Sequence, residues 1–204
     1  MGENFLYIKD GFLEPEFCNS LIDKYKWSSL KTRGRLEDGK GTLNENIKKN
    51  TCITIHQHRP VEWVETWDII NDKIADIVTE YHKTLSDRNI GRAGRIDDVF
   101  STVWRGSFKI EQYGKGDFYR WHHDMMPVNN RLFKYIIYLN DMEDDAGGTT
   151  DFYNGKSIKP EQGKIIVFPV SWTSLYREKK VEKGYKYVIT GFTYGNNPTD
   201  AENI

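Results

Sequence analysis

The chain has 204 residues, of which 38% are apolar, and its 29 lysines and arginines stand against 30 aspartates and glutamates, a formal net charge of −1. That balance leaves no global field to draw in nucleic acid or an anionic membrane, so neither is expected as a partner. The length suits one domain over 1–204 with a substantial core, and 12 Tyr, 10 Phe and 6 Trp favour a β-rich interior over a helical bundle.

The opening MGENFLYIKDGF carries charges where a signal peptide needs an apolar run. No later segment has the apolar length of a membrane span, and Gly2 lacks the downstream Ser or Thr of a myristoylation signal. A cytoplasmic protein is expected. Cys18 and Cys52 are too few for a disulfide framework and read as buried thiols, Cys18 sharing a helical face with Leu21, Ile22 and Tyr25.

Taken in order, residues 5 to 9 (FLYIK) predict a strand, and Pro15 at a first helical position opens a helix to about Trp27. Ser28 to Asn50 is polar and glycine-containing, which predicts a long mobile loop, either a linker or a substrate-handling lid. Thr51 to His58 alternates as a strand. His56 and His58 form a pair two apart with no carboxylate beside them, so they read as structural or rim histidines. After Pro60, Trp63, Trp67, Ile70, Ile74, Ile77 and Tyr81 recur at spacings of three and four, the stripe of a helix lying on a sheet. Ser86 to Asp98 predicts a loop.

From Val99 the pattern is strand after strand: 108–113, 118–123, 132–140, 149–153, 163–168, 174–177 and 185–194, separated by turn signals such as Asp144-Asp-Ala-Gly-Gly148 and Asn154-Gly155. The fold class expected is mostly β with N-terminal helices, the helices (about 1–90) buttressing a double-stranded β-helix, or jelly-roll, core (about 99–194).

Tyr113 to Asp124 reads YGKGDFYRWHHD. His122 and Asp124 are two apart, so on an extended strand they project from one face. An imidazole and a carboxylate together supply two of the three ligands of the facial triad that holds non-haem Fe(II). A bare pair of this kind is more often a polar strand end than a metal site, and a third ligand must come from elsewhere.

Around this pair stand Tyr113, Gly116 and Tyr119, then Lys134-Tyr-Ile-Ile-Tyr-Leu-Asn140, Gly147-Gly-Thr-Thr-Asp-Phe152, Lys159-Pro-Glu-Gln-Gly163 with Val167-Phe-Pro169, and Gly184-Tyr-Lys-Tyr-Val-Ile-Thr190. In order and spacing these blocks resemble the prolyl 4-hydroxylase-like branch of the Fe(II)- and 2-oxoglutarate-dependent oxygenases, densely from about Phe108 to Tyr194. The resemblance implies Fe(II) and 2-oxoglutarate as cofactors, with ascorbate a further candidate, and a peptide or protein substrate hydroxylated at a prolyl residue. By resemblance His122 and Asp124 match iron ligands, and Lys186 matches the basic residue that pairs with the far carboxylate of 2-oxoglutarate. Thr190 matches a hydroxyl donor to that carboxylate, and Tyr113 and Tyr138 match tyrosines that contact the cosubstrate. Lys186→Ala is accordingly expected to weaken 2-oxoglutarate binding and leave the fold intact.

One block departs. Where the family has a Leu-His-Arg-type sequence whose histidine completes the iron triad, this chain reads Trp172-Thr-Ser-Leu-Tyr176-Arg177, and no histidine follows His123. Three outcomes are open for Tyr176. It binds iron as a phenolate, against an ordinary pKa near 10; it hydrogen-bonds a metal-bound water; or catalysis is lost and binding persists. A histidine recruited from His56, His58 or His123 ranks below these. The leading expectation is a prolyl-hydroxylase-like dioxygenase with an altered third ligand, and the alternative is a catalytically impaired jelly-roll module that retains 2-oxoglutarate or partner binding.

Overall fold

The structure is a computed structural model and describes residues 5–36, 38–87, 99–100, 103–126 and 130–195. Twelve strands are described: β1 (Tyr7–Lys9), β2 (Thr32–Arg33), β3 (Lys48–Lys49), β4 (Thr51–Ile55), β5 (Val103–Tyr113), β6 (Phe118–His122), β7 (Arg131–Tyr138), β8 (Thr150–Phe152), β9 (Ser157–Ile158), β10 (Ile165–Pro169), β11 (Tyr176–Glu178) and β12 (Lys186–Gly195). They form two antiparallel sheets, a larger one ordered β1-β10-β7-β12-β5-β4-β2 and a smaller one ordered β3-β6-β11-β8-β9. The mostly β architecture with N-terminal helices is the one expected.

Helix α1 (Pro15–Trp27) begins with proline at its first turn, where the missing N–H is not needed, and buries Cys18, Leu21, Ile22 and Tyr25. After a 3-10 turn at Val61–Trp63, helix α2 (Val64–Asp87) buries Ile70, Ile74, Ile77 and Tyr81 on the predicted stripe. Both helices pack on the outer face of the larger sheet. Along β7 the alternation is clean: Phe133, Tyr135 and Ile137 meet the helices, and Ile136 and Tyr138 face the smaller sheet. A strand covered on both faces has little room for polar residues, which is why Lys134-Tyr-Ile-Ile-Tyr138 is so apolar. Lys134, in phase with Ile136 and Tyr138, therefore points into the jelly roll. Among the described residues no helix is long and apolar enough to cross a membrane.

Cys18 and Cys52 are free and buried, as expected. His56 and His58 are exposed, with His56 bridged to Arg59, which fits their reading as rim residues. The 28–50 segment differs from expectation. It contributes β2 to the larger sheet and β3 to the smaller one, and Lys48 and Asn50 are buried. Its polar composition conceals this, because the pairing partners of Lys48 and Lys49 are Tyr119 and Phe118, far along the chain. Strand β9 was also not anticipated: two residues are too short to show a period. Helix α2 runs to Asp87, two residues into the predicted 86–98 loop, most of which lies outside the described residues.

Candidate functional site

The site is built between the two sheets where β6 lies antiparallel to β11, a register that sets Tyr176 opposite His122. The His122 ring is stacked on Tyr119, with centroids 3.5 Å apart, and tilted against Tyr176 at 4.2 Å. Its Nδ1 lies 2.7 Å from the Arg120 carbonyl oxygen. A carbonyl only accepts, so Nδ1 carries the proton and the lone pair sits on Nε2. Nε2 is buried, makes no hydrogen bond and lies 3.9 Å from Asp124 Oδ1.

Tyr176 is buried, and its hydroxyl donates to Asp124 Oδ2 at 2.6 Å. Burial, reinforced by the Asp124 charge, pushes this phenol well above its usual range, so it is a neutral donor. Lys134 Nζ lies 3.8 Å from the same Oδ2 and 4.1 Å from the centroid of the Phe192 ring.

Deeper in the same interior Lys186 is fully buried and is hydrogen-bonded to Glu178 Oε2 and, at 2.7 Å, to the Gly148 carbonyl oxygen. Gly147 and Gly148 both have positive φ, near +71° and +72°, and a Cβ on Gly147 would stand 2.3 Å from the Lys180 oxygen. Two glycines are what allow this turn to fold over the lysine. Glu178 Oε2 also accepts from Thr150 Oγ1 at 2.9 Å, and Thr150 accepts from the Tyr138 hydroxyl at 2.7 Å. A third buried pair joins Lys48 to Glu111 at 2.7 Å, and Tyr113 donates to the other Glu111 oxygen at 3.0 Å. Burial raises Glu111, but Lys48, Lys109 and Lys134 outweigh it and hold that carboxyl at about 2. The interior thus matches Lys48, Lys134 and Lys186 with Glu111, Asp124 and Glu178, so its charges cancel from within.

Residues 108–194 match the model of the 2OG-Fe(II) oxygenase superfamily. The jelly-roll core is thus similar to the 2OG-Fe(II) oxygenase superfamily over that stretch. Among solved structures, the chain is 14% identical to a Pseudomonas putida prolyl-4-hydroxylase, covering 95% of this chain and 94% of that one with a TM-score of 0.66. The viral collagen prolyl hydroxylase of Paramecium Bursaria Chlorella virus-1, in its 2OG complex, is 19% identical over 95% and 97%, TM-score 0.62. A Trichoplax adhaerens prolyl hydroxylase in complex with a hypoxia inducible factor peptide fragment is 18% identical over 94% and 84%, TM-score 0.69. At these identities the likeness is one of fold. No curated protein matches the chain.

The superfamily implies Fe(II) and 2-oxoglutarate. The residues present accommodate the iron only in part. A neutral His122 with its Nε2 lone pair directed beside Asp124 suits a divalent cation, although cis ligands on bonds of about 2.1 Å lie about 3 Å apart and the two donors would have to close on each other. The third position does not fit: Tyr176 donates a proton to a candidate ligand, His123 is exposed like His56 and His58, and among the described residues no three His, Cys, Asp or Glu side chains cluster as metal ligands. For 2-oxoglutarate, Tyr113, Tyr138, Lys186 and Thr190 are all buried, and Thr190 is in phase with Lys186 on the inward face of β12. Lys186, however, already holds a carboxylate.

Glu178 and Thr150 were not among the residues singled out from sequence. The signal for Glu178 is its alternation: two places from an inward Tyr176 it must also face inward, and a carboxylate there needs a cation. Lys134 carried the converse signal, a lysine within an otherwise apolar strand.

Burial depresses the pKa of His122 from 6.5 to about 4, against the pull of Asp124 and the Arg120 carbonyl. The folded state therefore refuses a proton that the unfolded chain takes up below pH 6.5, and stability is lost as pH falls from 6.5 to 4. Relative to His122→Gln, the native chain should lose about 2–3 kcal/mol between pH 7 and pH 4. Urea unfolding of both at each pH checks this; parallel pH profiles would refute it.

Proposed function

We propose that this chain, read as one domain over 1–204, is a prolyl-hydroxylase-like jelly roll that recognises a prolyl-containing peptide and does not turn over 2-oxoglutarate at its native site. His122 and Asp124 are what remains of the iron site, Tyr176 takes the third position, and Tyr113, Tyr138, Lys186 and Thr190 line what corresponds to the cosubstrate pocket. The observation that carries the proposal is the Tyr176 hydroxyl hydrogen-bonded to Asp124 Oδ2 at 2.6 Å. A high-pKa phenol that caps a carboxylate lowers the donor strength of that carboxylate and at neutral pH offers only a weakly basic neutral oxygen in place of an imidazole or a phenolate. Peptide recognition rests on analogy with the Trichoplax complex.

A second reading, an oxygenase with a two-residue iron site, is favoured by the buried and unpartnered Nε2 of His122. In that case Fe(II) and 2-oxoglutarate would supply the hydroxylation chemistry, and the chain's part would be to hold them and exclude water. Incubating the purified chain anaerobically with Fe(II) and 2-oxoglutarate, admitting oxygen and quantifying succinate separates the two. We expect no succinate above an Asp124→Ala control; a clear excess over that control would establish turnover.

A further inference from the structure

We infer that Glu178 determines what the pocket around Lys186 can take, because its own carboxylate stands where the carboxylate of a bound acid would meet that lysine. The inference rests on reading Lys186 as facing a carboxylate-binding pocket, and goes beyond it by naming the residue that fills the pocket. Within β11, Tyr176 and Glu178 are buried and point inward, whereas Arg177 points outward and pairs with Asp151 at 2.8 Å. Glu178 is 4% exposed and Lys186 not at all.

An ammonium has three N–H donors. Those of Lys186 serve Glu178 Oε2 and the Gly148 carbonyl, and the remaining side of the charge faces the rings of Tyr113 and Tyr138, with centroids at 5.4 and 5.7 Å. Two of the three donors are thus taken, one of them already by a carboxylate, and the third faces aromatic rings. Glu178 Oε2 is fixed in turn by Thr150, which is oriented by Tyr138. A dicarboxylate entering here would meet a like charge in a poorly screened interior and would have to displace Glu178 from both partners. The class of ligand excluded is any small carboxylate, 2-oxoglutarate included. Its removal would leave space and an uncompensated cation of the right sign for such a molecule.

The test follows thermal unfolding midpoints of the native chain and Glu178→Ala, without metal, in acetate, glutarate or 2-oxoglutarate against chloride at equal ionic strength. The variant should start lower than the native chain and be raised by the carboxylates but not by chloride, with the native midpoint unmoved. By calorimetry it should bind 2-oxoglutarate at least about tenfold more tightly than the native chain. Native binding as tight as the variant's, or equal carboxylate shifts in both, would overturn the inference. Should Glu178→Ala not fold, Glu178→Gln removes the charge and keeps the volume: a carboxylate-dependent midpoint supports the assignment and indifference to carboxylate sinks it. With no metal present, a negative result here leaves the iron reading of His122 and Asp124 standing, and a failure of metal binding leaves this result standing.

Discussion

Lys186→Ala is expected to lower the free energy of unfolding by about 3–5 kcal/mol. The reason is what the substitution leaves behind. Glu178 is buried, and burial already raises its pKa against the stabilising charge of Lys186. With the ammonium gone, the carboxylate must stay ionised without a partner, take up a proton, or draw in water, and each costs free energy. The sequence alone leads to the expectation that this substitution leaves the fold intact; the buried pair adds the expectation of a marked loss of stability. Combining Lys186→Met with Glu178→Leu should recover most of the loss, since an apolar pair of similar volume avoids desolvating both charges. Urea unfolding with the slope checked for constancy measures both effects. A single variant within about 1 kcal/mol of native would mean that the pair is not formed as described.

Tyr176→His should tighten Mn(II) binding by at least about 100-fold, because it adds an imidazole donor and removes the phenol that caps Asp124. Succinate should still not form in this variant. Glu178 remains on Lys186, and the cosubstrate has nowhere to put its far carboxylate. Only the combination Tyr176→His with Glu178→Ala is expected to raise succinate above the Asp124→Ala control. Calorimetry with Mn(II) reads the first step independently of turnover. An unchanged Mn(II) affinity in Tyr176→His would show that Tyr176 does not stand at the third ligand position, and succinate from the single variant would show that Glu178 does not block the pocket.

The sequence by itself determined the periodic features: the stripe of α2, the alternation of the strands from Phe108 onward, and the pairing of His122 with Asp124 on one strand end. Each is a local regularity, readable from neighbours within a few residues. It showed equally that no histidine follows His123, so a two-histidine triad with the chain order of the resembling family cannot form. Only the tertiary structure decided where the charged side chains end up. Lys48 finds Glu111 63 residues away, Tyr176 finds Asp124 52 residues away, and Lys186 finds Glu178 on the other sheet. In a jelly roll each contact depends on which strands become neighbours and in what register, and one residue of slip sends a side chain to the opposite face. The apolar stripe of the N-terminal helix and an ion pair at the heart of the roll are thus legible to different degrees: one is written in spacing, the other only in closure of the sheets.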